Sequence, residues 1–446
     1  MEILEKAIKL LESYPLCDNC LGRQFALLGV GLDNKSRGRA LKNVLTLWSH
    51  FLAESENKVG ESTSILKILA DKGKHEPALK TLEKLGLSKE PSREKCFVCL
   101  DVLTNMDDLA KMAKESLGDL EFRTFLVGSI IPPEVAERED EVRSKAGSNW
   151  CEALKREINR EIGKRLKEMI GKDPDFKSPD ITLSIDPFNR NAFVQSNPLF
   201  IRGRYKKLVR GIPQATWLCR KCMGAGCPNC NWTGKMYQYS VQDFVSKPFL
   251  EETLGVECKF HGAGREDVDA RMLGSGRPFI IEIKEPRKRL IDLMRVAERV
   301  RDGSEGRVEV SDLKLSSRED LRRIKTMATT TEKTYKAIVE VEREISEDEI
   351  KKLIRDLTGT VIKQRTPLRV LHRRADKIRV KKVHELQINL ISPKKMEAVI
   401  RTQGGLYVKE LVSGDNDRTT PSFSEILGAK AECTELDVID VADQFI

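Results

Sequence analysis

The chain has 446 residues, with 78 Lys and Arg against 69 Asp and Glu, for a net charge of +9. That length exceeds one hydrophobic core and calls for two or three domains, while 40% hydrophobic content excludes a disordered chain. No apolar run is long enough for a transmembrane helix, and the start MEILEKAIKLLESYPLC carries no apolar signal core, so a cytoplasmic chain is expected.

Residues 1–15 predict a helix with Ile3, Ala7, Ile8 and Leu11 on one face. LGRQFALLG reads as a short helix. SRGRALKNVLTLWSHFLA reads as a longer one, with Leu41, Leu45, Leu47 and Phe51 marking its apolar faces. Two more short helices fall within 61–87, and another runs to about 115. EFRTFLVGSII then reads as a strand. Residues 133–170 read as one long charged helix with Trp150, Leu154, Ile158, Ile162 and Leu166 inward. Short β-type runs and Asn/Pro turns fill 179–214. After a cysteine-rich insert, strands and helices alternate to the end. Examples are RPFIIEIKEP, RVEVSDLKL, KTYKAIVEVE and KVHELQINLI, with helices DLMRVAERVR and SEDEIKKLIRDLTG. The expected class is α/β (α+β) with a mainly antiparallel sheet. The expected division is 1–115 helical, 116–216 a small α/β module, 217–234 a knuckle and 235–446 a larger domain. No dinucleotide-binding or Walker-type glycine motif is present, so no nucleotide cofactor is expected.

Eight of the eleven cysteines form four CxxC pairs. Cys219/Cys222 and Cys227/Cys230 lie close together, with Gly224, Gly226 and Gly234 supplying turns. Cys17/Cys20 and Cys96/Cys99 are far apart but suit one site that staples the helical region. Two pairs complete a tetrahedral Cys₄ zinc site. Thiolates fill both sites, so the expectation is two structural Zn²⁺; a redox or vestigial pair is the alternative. Cys151, Cys258 and Cys433 read as small buried apolar residues.

Positive charge is concentrated. Residues 201–222 hold seven Lys/Arg and no acid, and 361–384 hold nine with one acid. Such concentration suits a phosphate-binding face, so nucleic-acid binding is expected. The rival reading is a solvated ion-pair surface, which would mix acids with the bases.

HGAGREDVDARMLGSGRPFIIEI is a glycine-rich polar stretch in which Asp267 and Asp269 lie between Arg265 and Arg271. A carboxylate beside an arginine stays ionised and can act as a nucleophile or orient a sugar; the alternative is a capped turn with local ion pairs. Tyr335 and the stretch TQGGLYVKELVSGDNDRTTPSFSEILG are placed to converge on it, with Lys409 in a strand-like run and Asp415/Arg418 in a turn.

Taken together, these segments resemble the pseudouridine synthases, most closely the archaeal and eukaryotic tRNA family that acts at positions 54 and 55 of the T arm. GREDVDARMLGSGRPF resembles that family's active-site loop, with Asp267 at the place of the essential aspartate. TQGGLYVKELVSGDNDRTTPS resembles its C-terminal motif, and QRTPLRVLHRRADKIRVKKV resembles a further family stretch. Lys409 takes the place of the basic partner, and Leu406 stands where a threonine is frequent. Residues 170–215 resemble a THUMP RNA-binding module. The resemblance implies a pseudouridine synthase catalytic domain that isomerises uridine without a catalytic cofactor. Asp267 would be the catalytic carboxylate. Tyr335 would stack on the flipped uracil and assist the final proton removal, Lys409 would pair with Asp267, and Val408 and Leu411 would floor the pocket. Arg204, Lys206, Lys207, Arg210, Arg265, Arg365, Arg369, Arg373, Arg374 and Tyr407 would face the tRNA. Two other classes share the zinc pairs and basic runs: a non-catalytic zinc-containing protein that binds structured RNA, and another THUMP-containing tRNA-modifying enzyme.

Overall fold

The computed structural model of the chain describes residues 2–442 except 57, 88–89, 91–92, 148 and 328–330, and in it the expected first helix forms. Two units divide at Asn197/Pro198.

In the first unit α1 (Glu2–Ser13) buries Ala7, Leu10 and Leu11. The thiol of Cys17 caps α2 (Asp18–Gly22) by accepting the Cys20 N–H. Asp33 caps α3 (Asn34–Ser55) through the Ser36 N–H. Leu45 and Leu52 face the core, but Leu47 and Phe51 are exposed. The 3.6-residue period puts Leu47 about 200° round the helix from Leu45, so the apolar positions do not form one stripe. Helices α4 (Val59–Asp71), α5 (Glu76–Lys84) and α6 (Met106–Glu115) follow, then strand β1 (Thr124–Ser129).

The long helix expected over 133–170 is two helices, α7 (Pro133–Ala146) and α8 (Leu154–Ile170). Gly147 ends α7 at φ 54°, left-handed backbone that glycine adopts without a Cβ penalty. Trp150 therefore lies in the connection, while Leu154, Ile158, Ile162 and Leu166 are buried as expected. Strands β2 (Asp173–Pro174), β3 (Ile181–Asp186) and β4 (Asn191–Ser196) complete a sheet of order β2-β1-β3-β4, with β1 and β3 parallel across the helical crossover. Its inward residues Ile181, Leu183 and Ile185 share one continuous core with Leu10, Leu21 and Leu109. The expected boundary at 115/116 thus cuts through a single core.

The second unit begins with β5 (Leu199–Lys207). This strand pairs with Arg271–Lys284 and Val308–Ser316, so the expected boundary at 216 moves back to 197/198. The knuckle leads into α9 (Val241–Thr253), β6 (Glu257–Gly262), β7 (Arg271–Lys284), α10 (Leu293–Gly303), β8 (Val308–Ser316) and α11 (Arg318–Met327). Next come β9 (Lys333–Val341), α12 (Glu347–Leu357), β10 (Val361–Arg365), β11 (Ile378–Ser392) and β12 (Lys395–Thr402). The chain closes with α13 (Val408–Ser413), β13 (Thr419–Thr420), α14 (Phe423–Leu427) and β14 (Ala431–Val441). The sheet runs β13-β10-β11-β12-β9-β14-β7-β5-β8, with β6 on β7. Among the described residues of this sheet only β14 and β7 pair in parallel, over two residues, so it is mainly antiparallel as expected. Helices α9 and α10 cover the β5–β8 end, and α12, α13 and α14 cover the β9–β12 end. The two cores meet at β9, β14 and β7, where the loop before β7 carries Asp267. Among the described residues no helix is long and apolar enough to cross a membrane.

Candidate active site

The loop between β6 and β7 is anchored from below by buried polar groups. Glu266 is buried; its Oε2 accepts from the Tyr205 hydroxyl at 2.7 Å and from Arg277 Nε at 3.0 Å. Arg277 also donates to the Ala263 carbonyl at 2.9 Å, and Gln214 donates to the Gly264 carbonyl at 2.8 Å. Lys207 is fully buried. Its ammonium donates to the carbonyls of Ile212 (2.9 Å), Asp267 (3.0 Å) and Val268 (3.2 Å). Burial pulls its pKa down to about 8 against the opposing pull of Glu266. Arg210 donates to the carbonyls of Asp269 and Leu436 and pairs with Asp437 at 2.8 Å.

Above this base the Asp267 carboxylate meets Arg369 edge-on, with Oδ1 to Nη1 at 3.2 Å and Oδ2 to Nη2 at 3.0 Å. Two parallel contacts fix a carboxylate in orientation as well as in charge. Glu410 on α13 holds Arg369 in turn, with Nε to Oε1 at 2.6 Å. Burial disfavours the Arg369 charge, but Glu410 and Asp267 outweigh it and keep the guanidinium protonated.

The expected Lys409–Asp267 pair does not form. Lys409 lies in the first turn of α13, not in a strand, and its ammonium pairs with Asp269. Burial raises the Asp269 carboxyl, yet Lys409 outweighs it and holds it below the usual range. The two aspartates thus have separate cationic partners. The expected flanking arginines are also elsewhere: Arg265 lies over the Trp217 ring at 4.8 Å, and Arg271 pairs with both oxygens of Asp437.

Asp267, Tyr335, Arg369, Tyr407 and Lys409 line one cavity of about 480 Å³. Its apolar wall is Ala270, Leu406, Val408, Leu436 and Val438. Leu411 is fully buried in the core beneath α13 and does not floor the pocket. Burial pushes the Tyr335 phenol up to about 12; Arg277 opposes that shift, and Asp267 and Glu266 add to it. Tyr407 caps α13, and its ring lies 5.9 Å from the Arg369 guanidinium and 5.8 Å from that of Arg379.

The structure redistributes the basic residues expected to face RNA. Lys207 and Arg210 brace the loop between β6 and β7. Arg204 donates to the carbonyls of Ser275, Gly276 and Val441 and so ties β5 to β7 and β14. Lys206 lines a separate surface groove with Ser275 and Asp312. Arg365 pairs with Asp376 at 2.9 Å, and Arg374 is exposed at the cavity wall. The side chain of Arg373 lies outside the described residues. The sequence reading missed Glu266, Arg277, Lys333 and Glu410. Glu266 and Glu410 stand beside residues it named, and Lys333 stands two before Tyr335, so strand periodicity alone would have placed Lys333 on the same face.

Both expected cysteine groups assemble: Cys17, Cys20, Cys96 and Cys99, and Cys219, Cys222, Cys227 and Cys230, each with all sulfurs within 4.8 Å of one another. Cys17 and Cys99 Sγ lie 3.6 Å apart, and in the second group Cys219–Cys227, Cys222–Cys230 and Cys227–Cys230 lie 3.9, 3.8 and 3.7 Å apart. A tetrahedral ion with Zn–S bonds of about 2.3 Å sets neighbouring sulfurs about 3.8 Å apart. Backbone N–H groups point at the sulfurs of Cys17, Cys96, Cys222 and Cys230, and Arg23 donates to Cys20 Sγ at 3.3 Å. Donors of this kind balance thiolate charge, and the arrangement suits a Cys₄ ion. Cys258 and Cys433 are partly buried thiols, each pushed up to about 11 by burial, which agrees with an inert role.

Comparison with known proteins identifies the family. The family described as Pus10, C-terminal, matches residues 200–442, and the Pus10 THUMP domain, archaeal, matches 109–186. The chain is 44% identical to "tRNA pseudouridine synthase Pus10" of Methanocaldococcus jannaschii, over 99% of this chain and 95% of that one. It is 40% identical to the protein of the same description from Methanothrix thermoacetophila, over 99% and 94%. Among solved structures it is similar to a Cbf5-Nop10-Gar1 complex, at a TM-score of 0.28 and 16% identity, covering 45% of this chain and 43% of that one.

Proposed function

Because this chain belongs to the Pus10 family of tRNA pseudouridine synthases, we propose that it isomerises uridine to pseudouridine at position 54, position 55 or both in the tRNA T arm, with Asp267 as the catalytic carboxylate. The observation that carries this reading is the Asp267 carboxylate, aligned by Arg369 on the wall of a cavity that also holds Tyr335.

The reaction breaks the C1′–N1 bond of uridine, turns the base and forms a C1′–C5 bond. The target nucleotide has to leave its stack to enter the cavity. Asp267 then faces the ribose, and Tyr335 offers an aromatic surface to the uracil. Arg369 takes the orienting role first expected of Lys409. It fixes which carboxylate oxygen faces the sugar, and Glu410 fixes Arg369. Lys409, held by Asp269, lines the same cavity. Excluding water from such a site strengthens each of these contacts. The test is position-resolved mapping of pseudouridine in an unmodified tRNA transcript after incubation with the chain. Product confined to the T arm supports the assignment; product elsewhere, or none, contradicts it.

Both cysteine groups would hold structural Zn²⁺ and leave no ligand position for substrate. Metal analysis of the purified chain is expected to give about two Zn²⁺ per chain, because paired thiolates couple Zn²⁺ binding to folding. A count of zero or one would contradict this. Cys219→Ser with Cys222→Ser is expected to lower the melting temperature with little effect on the chemical step of the folded fraction. The proposed setting is the cytoplasm, where tRNA is present and all eleven cysteines, free in this structure, stay reduced.

A further inference from the structure

Lys333 opens β9 two residues before Tyr335, so both side chains leave the same face of the strand, and both line the cavity beside Asp267. Lys333 is 6% exposed. The catalytic loop passes so close to it that a Cβ on Gly264, at φ 79°, would lie 2.9 Å from its Nζ. Neighbouring cations are engaged: Arg369 by Asp267 and Glu410, Lys409 by Asp269, and Arg277 by Glu266 and the Ala263 carbonyl. Lys333 Nζ has no hydrogen-bond or ion-pair partner among the described residues. A buried amine left without a partner at a cavity wall is poised for something that enters the cavity.

We propose that Lys333 is the base that removes the C5 proton in the last step of the isomerisation, an inference that rests on the pseudouridine synthase reading above. Once the C1′–C5 bond has formed, C5 carries both the ribose and its original proton. The Lys333 amine takes that proton, and the C5–H electron pair becomes the C5=C6 double bond. The C6=N1 π pair moves to N1, which takes a proton from water or from the Lys333 ammonium, so no net proton is gained or lost.

The surroundings favour the neutral amine. Burial lowers its pKa to about 7, aided by Arg277 from β7 and Lys381 from β11 and opposed by Glu266 from the loop. Its register partners on β12 and β14, Thr402 and Val441, do not titrate. Tyr335, held at about 12, is a phenolate in only about one molecule in 10⁵ at neutral pH. It suits stacking better than proton abstraction.

The test uses the full chain and a tRNA transcript with uridine deuterated at C5, under single turnover at saturating enzyme. In the wild type the C5 isotope effect on product formation is expected to be near one above pH 8. It should grow as pH falls through about 7, because protonated Lys333 cannot accept the proton. Lys333→Met is expected to slow product formation by about 10²-fold, with a full isotope effect at every pH. Lys333→Arg keeps the charge but cannot lose its proton, so it should behave like Lys333→Met. A wild-type isotope effect that stays flat with pH overturns the inference even if neither variant folds. So does recovery of the wild-type rate and profile by Lys333→Arg. Normal pseudouridine formation with a flat isotope effect leaves the family reading standing and removes only this role. A wild type that forms no pseudouridine at all overturns both.

Discussion

Asp267→Asn is expected to lower single-turnover pseudouridine formation by about 10⁴-fold while changing tRNA affinity less than threefold. Asparagine keeps the size of the side chain, so the loop that Lys207 and Glu266 hold should not move. What is lost is the charge and half of the paired contact with Arg369, since an amide N–H₂ cannot accept from Nη. Arg369 then keeps Glu410 as its anion, which limits the damage to the site itself. Rates measured at saturating enzyme and filter-binding affinities separate the two quantities. Near-normal turnover by this variant would remove Asp267 from the chemistry. Asp269→Asn is the control: it breaks only the Lys409 pair and should cost much less.

Much of the fold was legible because its signals are local. Strand alternation in KTYKAIVEVE, the capped helix SEDEIKKLIRDLTG and the four CxxC pairs each needed only a short window, and each appears as expected. Apart from one local helix break, what failed depended on partners distant in sequence. The helix break at Gly147 is a single-residue event inside a continuous amphipathic pattern. The unit boundary at 197/198 depends on β5 pairing with β7, some seventy residues on, which no composition shift announces. In the site, the loop and Asp267 could be singled out by residue type, but the partner of Asp267 could not. Arg369 is 102 residues away in sequence and lay inside a run of nine basic residues that read as one phosphate-binding face. Net charge averages over such a run. The fold sorts it residue by residue: Arg369 goes to the Asp267 carboxylate, Arg365 to Asp376, and Arg374 to the open cavity wall.

The same sorting applies to Arg204, Lys206, Lys207 and Arg210, which the sequence places against the tRNA. Replacing all four by alanine is expected to abolish single-turnover chemistry even at saturating enzyme, whereas side chains that only met phosphates would mainly set tRNA affinity. The effect should reside largely in Lys207→Met. Methionine matches the length of the stem but leaves the carbonyls of Ile212, Asp267 and Val268 without their donor, and takes from Glu266 the ammonium 3.9 Å away. Leaving such buried groups unpaired costs about 3–5 kcal/mol. Lys206→Ala alone, at the edge groove, should change only affinity and its salt dependence. A pH signature separates Lys207 from a generic packing defect. Its folded-state pKa of about 8 lies below the ordinary lysine value of 10.5, so between these values the unfolded chain binds more protons than the folded one. Its share of the stability therefore rises with pH across that window, and Lys207→Met should lose that rise. If Lys207→Met instead reacted at the wild-type rate once bound and only raised the Kd, the side chain would be facing RNA, and the brace beneath the Asp267 loop would have to be assigned to Glu266 and Arg277 alone.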